Sequence, residues 1–185
     1  ISTYQKPLNE QQRELGRIDD ALKGGIQQIE RACKPFIEED AVERVELKPD
    51  TYIQLNQARA SIESKSNAVR LQFKNVRNVA TLKESEICRS TTNSQQTDIC
   101  VSLNFAQERL GNLEAYFIRT ITKNIQIFDN FIIVGKLEAL NCVRPGFTNN
   151  LIQSYLRRVD ETDISGLEYY QSRLNQLKSE IRNHE

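Results

Sequence analysis

The chain has 185 residues, and its 25 basic residues balance its 25 acidic residues, which gives a formal net charge of zero. Because long-range attraction to polyanions needs an excess of positive charge, nucleic acid and anionic membrane surfaces are not expected as partners. The mean hydropathy of −0.57 and the few glycines (7) and prolines (4) are typical of long helices that bury one stripe. The length suffices for one hydrophobic core, so we predict a single helical domain over residues 1–185.

The first helix is predicted to begin near Pro7, because proline is favoured in the first helical turn. Its apolar residues recur at every seventh position, with a second row beside them, which is the pattern of a heptad seam. The two rows are Leu8, Leu15, Leu22, Ile29 and Phe36, and Ile18, Ile26 and Cys33. Gly24 and Gly25 interrupt the seam. We expect a neighbour to approach the backbone closely there, with a bend in the helix as the alternative.

Residues 38–50 are predicted to form a loop or a short helical connector. They contain six acidic residues against Arg44 and Lys48. Such charge is compatible with calcium, but the alternating Asp/Asn pattern and the glycine of an EF-hand loop are absent. We therefore interpret the connector as a solvated face and predict no metal site.

The second helix is expected to begin at Pro49 and Asp50, which mark a turn and an N-cap. Its apolar residues follow alternating steps of three and four along the chain. They are Tyr52, Leu55, Ile62, Val69, Phe73, Val76 and Ala80. One row on its outer side is basic and consists of Arg70, Lys74 and Arg77. This basic row is a candidate partner-binding surface, and a simple solvated face is the alternative.

A polar loop is predicted over residues 89–98, between Cys88 and Cys100, because serine, threonine and asparagine dominate it. The third helix follows to about residue 142 and contains the most apolar stretch, residues 116–140. Its apolar stripe covers well over a third of the circumference, so we expect neighbours on several sides. Arg119, Lys123 and Asp129 interrupt it, whereas a membrane span needs about 20 nearly uninterrupted apolar residues. We therefore predict the central helix of a bundle and no transmembrane segment.

The fourth helix is predicted after the helix-breaking residues Pro145 and Gly146. Its apolar positions form two runs that are separated by the polar residues 160–163. They are Leu151, Ile152, Tyr155, Leu156 and Val159, and then Ile164, Leu167, Tyr170, Leu174, Leu177 and Ile181. The polar interruption indicates that this helix is kinked or split into two.

The four cysteines Cys33, Cys88, Cys100 and Cys142 are widely spaced and include no C-x-x-C pair. The only histidine is His184, so the usual ligands of a structural zinc site are missing. We predict two disulfides and an oxidising compartment. Four buried free thiols in a cytosolic protein are the alternative, because a free cysteine packs well as a small apolar residue.

The helix directions predict how these cysteines pair. If four helices alternate in direction, Cys33 and Cys142 lie at one end, and Cys88 and Cys100 lie at the other. We therefore predict the disulfides Cys33–Cys142 and Cys88–Cys100 in an elongated up-down-up-down four-helix bundle. The up-up-down-down topology of a cytokine needs two long crossovers, and the connection after Cys142 is too short for one.

No motif for catalysis is found in the sequence. A single histidine removes the usual general base and the di-iron ligand sets, and no glycine-rich phosphate-binding loop is present. We therefore expect a protein that is not an enzyme and has no cofactor. The chain also contains no methionine, and we expect that Ile1 follows a removed signal peptide, with an artificial boundary as the alternative. The predicted location is extracellular.

Three functions are compatible with such a scaffold. The leading hypothesis is a secreted protein that binds a partner protein through Arg70, Lys74, Arg77 and Tyr169, or through the acidic connector. The alternative is a carrier of a fatty acid, a sterol or another apolar ligand in the bundle interior. The residues expected to line that interior are Phe117, Ile121, Ile125, Phe128 and Ile132. The third is a structural protein that assembles through the heptad seam, so the expected state is a monomer or a small homo-oligomer.

Overall fold

The computed structural model describes residues 5–88, 94–162 and 167–183. These residues form six α-helices and one 3₁₀ turn, and they contain no β-strand. The helices are α1 (Gln5–Cys33), α2 (Ala41–Arg44), α3 (Pro49–Ile87), α4 (Ser94–Ala139), α5 (Phe147–Thr162) and α6 (Leu167–Arg182). The 3₁₀ turn, Lys34–Phe36, directly follows α1. The predicted all-α class is therefore confirmed.

The predicted count of four helices is not confirmed, because the described part of the chain has six. The acidic connector contains the short helix α2, which satisfies a few backbone groups between two long helices. The region predicted as one kinked or split helix contains α5 and α6; residues 163–166 lie outside the described residues. Helix α4 begins at Ser94, earlier than predicted, so residues 94–98 are helical rather than part of a loop. Residues 89–93 also lie outside the described part.

The glycine pair in α1 does not mark a close approach. Helix α1 runs continuously through Gly24 and Gly25, and a Cβ atom added to either would meet nothing within 4 Å. The expected close neighbour at these glycines is therefore wrong. The close approach occurs in α4 instead, where a Cβ on Gly135 would lie 3.0 Å from Leu47 Cδ2 and 3.4 Å from Thr51 Cγ2. Because Gly135 has no side chain, the segment around Leu47 that leads into α3 can pack closely against α4.

Backbone contacts divide the chain into two compact units. Unit 1 comprises Ile1–Glu63 and Thr120–Ser165, and unit 2 comprises Ser64–Arg119 and Gly166–Glu185. Helices α3 and α4 each contribute residues to both units. The single domain expected from the sequence stays a prediction.

The core of unit 1 lies between α1, the first part of α3, the second part of α4, and α5. Its buried residues are Leu15, Leu55, Ala58, Ile62, Ile127, Phe128, Phe131, Ile152 and Tyr155. The rings of Phe128, Phe131 and Tyr155 pack edge to face, with centroids 5.6–5.9 Å apart. Edge-to-face packing is the favoured geometry for buried aromatic rings, so this trio fixes the mutual position of α4 and α5.

Contacts along unit 1 define the helix directions. Gln12 contacts Thr120, and Cys33 is bonded to Cys142, so α1 and α4 run parallel. Tyr155 contacts Asn124 and an earlier residue of α5, Thr148, contacts Glu138, so α5 runs antiparallel to α4. Large apolar surfaces of α4 are thereby covered from more than one side, as its wide stripe requires.

Unit 2 packs α3, α4 and α6 around Phe117. The Phe117 ring lies 5.3 Å from that of Phe73 and 5.5 Å from that of Tyr170, centroid to centroid. The other buried apolar residues are Val69, Val76, Ala80, Leu103, Ala106, Leu110, Leu113, Leu174, Leu177 and Ile181. Each of the three helices therefore contributes one apolar stripe to a shared core.

Each unit contains one disulfide. Cys33–Cys142 joins α1 to the end of α4 in unit 1, with Cα atoms 5.7 Å apart. Cys88–Cys100 joins α3 to α4 in unit 2, with Cα atoms 5.6 Å apart. Both pairs are the ones predicted from the helix directions. Among the described helices, none combines the length and the hydropathy that crossing a bilayer requires.

Candidate partner-binding surface

The predicted basic row lies on α3 within unit 2. Arg70 and Lys74 are exposed to solvent, whereas Arg77 forms an ion pair with Glu114 of α4. Further along the same two helices, Gln107 Nε2 donates a hydrogen bond of 3.1 Å to Glu84 Oε2. These two contacts show that α3 and α4 are antiparallel, and they fix the register between them. Arg77 is also exposed, but its charge is paired with Glu114, so Arg70 and Lys74 carry the remaining positive charge of the row.

Large apolar side chains are exposed next to the basic row. Leu71 is 59% exposed and Leu82 is 63% exposed, and both belong to α3. Asn75 and Asn78 lie between them and are also exposed. Leu71, Asn75, Asn78 and Leu82, which we call the outer α3 stripe, follow steps of four, three and four. This stripe is on the side of α3 opposite the buried residues Val69, Phe73, Val76 and Ala80.

Ile118 adds a third exposed apolar side chain to this region. The Arg77–Glu114 pair sets the register, and one turn further along each helix lie Lys74 on α3 and Ile118 on α4. Ile118 belongs to the apolar stretch 116–140, which was expected to have neighbours on several sides, but it is 54% exposed. The residue is on the flank of α4 that faces the basic row. Apolar and positively charged groups therefore alternate across the surface.

Tyr169, the fourth predicted partner-binding residue, belongs to α6. It is half-buried and accepts a hydrogen bond of 3.1 Å from Arg173 Nε, whose guanidinium also lies 5.7 Å from the ring centroid. Its ring is 6.4 Å from that of Tyr170. These contacts are all within α6, so the structure groups Tyr169 with Arg173 rather than with the basic row.

The residues predicted to line an apolar interior are distributed over both units. Phe117 is buried in unit 2, while Ile121 and Phe128 are buried in unit 1. Ile125 and Ile132 are half-buried. Phe117 and Phe128 pack directly against other aromatic rings. Their assignment to a ligand site stays a prediction.

Unit 1 has a small apolar groove between α1, α4 and α5. Its volume is about 230 Å³. It is lined by Ile18, Ala21, Leu22, Phe131, Leu151, Ser154, Tyr155 and Arg158. None of the five predicted interior residues is among them. Arg158 at the edge of the groove forms an ion pair with Glu14.

A buried carboxylate in unit 1 was missed by the sequence analysis. The Asp19 side chain is fully buried, and its Oδ2 lies 2.8 Å from Lys23 Nζ and 3.2 Å from Lys123 Nζ. Asn130 Nδ2 donates a hydrogen bond of 2.8 Å to Oδ1. Burial alone would raise the pKa of Asp19, but the hydrogen bonds and charges of the two lysines lower it below its ordinary value. The hydrogen bond with Asp19 in turn raises the pKa of Lys23.

A second set of buried polar side chains lies around Asn124 of α4. The Tyr155 hydroxyl donates to Asn124 Oδ1, and Asn124 Nδ2 donates to the backbone oxygen of Thr120 at 2.8 Å. Gln12 Nε2 donates to Thr120 Oγ1 at 2.9 Å. Burial raises the pKa of Tyr155, so its hydroxyl stays protonated and acts as the donor. This second set joins α1, α4 and α5.

The acidic connector borders an open groove in unit 1. The groove has a volume of about 770 Å³ and is lined by residues of α1, the 3₁₀ turn and α2. The acidic members of its lining are Glu30, Glu38, Glu39, Asp40 and Glu43. Arg44 forms an ion pair of 3.0 Å with Glu38. In the described residues, no set of three metal-binding side chains is arranged to hold an ion.

Comparison with known proteins gives no relative for this chain. No protein-family model, no curated protein and no solved structure matches it. Function must therefore be inferred from the chemistry of the surfaces and grooves. The outer α3 stripe with its basic row combines exposed apolar side chains with positive charge.

Proposed function

We propose that this is a secreted, non-enzymatic helical protein that binds a partner macromolecule through the outer surface of α3 in unit 2. The observation that carries the proposal is the exposure of Leu71 and Leu82 beside Arg70 and Lys74. Fully burying a leucine contributes about 1.5–3 kcal/mol relative to leaving it in water. A partner that covers both leucines gains that contribution, and the two cations then fix its orientation.

An extracellular location is supported by the two disulfides. Cys33–Cys142 joins residues that are 109 positions apart in sequence, and Cys88–Cys100 joins residues that are 12 positions apart. Disulfides of this kind persist in oxidising compartments. We also propose that the long helices α1, α3 and α4 alternate in direction, as predicted from the sequence. A disulfide-linked scaffold holds its surface residues in place before a partner arrives, which lowers the entropic cost of binding.

The absence of an enzymatic role is part of the proposal. The only histidine of the chain is His184, and the buried Asp19 already interacts with two lysines and an asparagine. General acid–base catalysis needs a titratable group that can reach a substrate and exchange a proton with it. Asp19 meets neither condition, since its carboxylate is enclosed and its pKa is lowered.

Photo-crosslinking tests the proposed function. A photoreactive phenylalanine analogue replaces Leu71 in the full disulfide-bonded chain, and the same analogue replaces Ile53 as a matched control. Ile53 is 50% exposed on the same helix but belongs to unit 1. After exposure to fluid from the source tissue, we expect a partner protein crosslinked at position 71 and absent at position 53.

Affinity measurements with the purified partner complete this test. Arg70→Glu/Lys74→Glu is expected to weaken binding, because both substitutions reverse charges that face the partner. Lys65→Glu, an exposed basic residue of α3 outside the row, is the control and is expected to have a small effect. Equal crosslinking at positions 71 and 53, or an unchanged affinity of the Arg70/Lys74 variant, would contradict the proposal.

A carrier of a small apolar ligand is the second candidate, and the groove near Phe131 favours it. The volume of about 230 Å³ is below the range of about 300–1,000 Å³ that ligand pockets usually have. The groove therefore suits a short acyl chain better than a sterol. Native mass spectrometry of protein that has never met detergent, with Ser154→Trp as the variant that fills the groove, tests this function. No bound mass and no uptake of a fluorescent short-chain fatty acid would reject it.

A further inference from the structure

The outer α3 stripe has the geometry of a second helix-packing seam. Its four residues, Leu71, Asn75, Asn78 and Leu82, are spaced by four, three and four positions, which is the a/d pattern of a coiled coil. Helix α3 already uses one such pattern for the buried core of unit 2. The two leucines lie three turns apart, about 16 Å along the axis, so a partner helix of similar length would contact both.

The asparagines in the middle of this seam favour a specific partner register. Asn75 and Asn78 carry both donors and acceptors, and they are exposed where apolar residues would give a stronger but less selective seam. A polar residue at a seam position fixes register and partner choice because a shifted partner leaves it without a hydrogen bond. The leucines at the two ends then supply the apolar contacts.

The charge beside the seam identifies the chemistry of the partner. Residues 64–82 include four basic residues and no acidic one, although the chain as a whole is neutral. The basic residues are Lys65, Arg70, Lys74 and Arg77. Arg77 is paired with Glu114, which leaves the exposed Arg70 and Lys74 to face an incoming group. Carboxylates are the complementary groups, and on a helix they would flank the apolar stripe.

We propose that the partner presents an acidic amphipathic helix, which packs along the outer α3 stripe with its carboxylates toward Arg70 and Lys74. The proposal rests on the proposed function and adds the class of the partner. The exposed Ile118 lies on the basic flank and extends the apolar contact toward α4. A second copy of this chain that used the same surface would offer no carboxylate, because residues 64–82 contain none.

A pair of synthetic peptides tests the proposed partner class with the full disulfide-bonded chain. Each peptide has about three heptads, with leucine at the seam positions and asparagine at the two central ones. The acidic peptide has glutamate at all flanking e and g positions, which also prevents it from pairing with itself. The basic peptide has lysine at those positions. Isothermal titration calorimetry at physiological salt measures both affinities.

We expect the acidic peptide to bind and the basic peptide to bind at least about tenfold more weakly, since that ratio requires only about 1.4 kcal/mol of selectivity. Leu71→Gln/Leu82→Gln and Arg70→Glu/Lys74→Glu are each expected to weaken binding of the acidic peptide at least tenfold. The charge-reversed variant should bind the basic peptide instead. Ile53→Gln is the matched control and should leave both affinities unchanged. Circular dichroism verifies that all variants are folded.

Two results would overturn the proposal. One is equal or undetectable binding of the two peptides. The other is binding that depends on charge alone. In that case Arg70→Glu/Lys74→Glu abolishes binding, Leu71→Gln/Leu82→Gln leaves it unchanged, and heparin competes with the peptide. That result would identify a site for sulfated polysaccharide. The crosslinking experiment separates this failure from failure of the proposed function. A partner crosslinked at position 71 through a non-acidic segment overturns the acidic helix alone, whereas equal crosslinking at positions 71 and 53 overturns the proposed function.

Discussion

Replacing Asp19 with asparagine is expected to lower the free energy of unfolding by about 2 kcal/mol. The substitution keeps the shape of the side chain and the oxygen that accepts from Asn130, but it removes the charge that faces Lys23 and Lys123. A hydrogen bond to a charged group contributes about 1.5–3 kcal/mol, and we assign that value to the less exposed Lys123. The Lys23 side chain is 52% exposed and can return to water, so its loss adds little.

Chemical denaturation of the oxidised protein, followed by circular dichroism, measures this loss. Asp20→Asn is the matched control, because Asp20 is the next residue of α1 and is exposed. Substitutions at such surface positions usually change stability by less than about 0.5 kcal/mol. A loss of less than that value for Asp19→Asn, or equal losses for the two variants, would refute the view that the enclosed carboxylate stabilises unit 1.

The same residue predicts how stability depends on pH. The pKa of Asp19 is lowered in the folded protein, whereas an unfolded aspartate titrates near about 3.9. The folded state therefore favours the ionised form, and this stabilisation is present above about pH 3.9 and is lost as pH falls through the lower folded pKa. Wild-type stability should consequently fall more steeply than that of Asp19→Asn below about pH 5. Parallel curves for the two proteins in an acid titration would contradict the assignment.

Glycine substitutions provide two further predictions, both measured by thermal unfolding. Gly24→Ala and Gly25→Ala are each expected to raise the free energy of unfolding by about 0.5–1 kcal/mol, because both residues are helical and face open space. A loss of stability in either variant would contradict this prediction. Gly135→Val is expected to lower it by about 1–3 kcal/mol, since the added atoms would press on Leu47. Gly111→Val in the same helix is the control, because no atom lies within 4 Å of its Cβ position.

The disulfide pairing could be predicted from the sequence because it depends on features that sequence patterns determine well. Long apolar stripes located the long helices, and short connections made neighbouring helices antiparallel. Those two properties already place Cys88 next to Cys100, and Cys33 next to Cys142. The number of helices was harder to predict, since α2 has only four residues and carries no apolar stripe of its own. A short helix of this kind is decided by local backbone hydrogen bonds rather than by burial.

Apolar periodicity gave wrong predictions of burial for residues at or beyond the ends of the packed helices. Phe36 belongs to the heptad rows of α1 by its spacing, but it lies in the 3₁₀ turn after the helix and is 86% exposed. Tyr52 fits the seam of α3 and is 55% exposed. Spacing predicts which face of a helix a residue occupies. Burial also requires a neighbouring element at the same position along the helix axis. That second condition depends on tertiary structure and cannot be derived from the pattern of one helix.

The buried Asp19 shows a different limit, because the sequence analysis gave this residue no role. Asp19 lies four residues after Leu15 and three before Leu22, so it occupies a seam position of α1. Burial of this carboxylate is unusual, because carboxylates are rarely buried unless they are paired. The pairing comes from Lys123 and Asn130 on α4, which are more than a hundred positions away in sequence. The position of a charged residue in the apolar seam was a sign of burial that the sequence offered. The identity of its partners on another helix could be known only from the structure.

The basic residues of the candidate surface could be predicted from the sequence, whereas its exposed apolar residues required the structure. The charges of Arg70, Lys74 and Arg77 recur at helical spacing, so the row was evident from the sequence. The apolar half was not, because the spacing of Leu71 and Leu82 does not show whether another part of the chain covers them. The structure places that stronger seam in the core and leaves both leucines in water. The proposal that a partner helix covers this stripe therefore depends on an exposure that only the structure reveals.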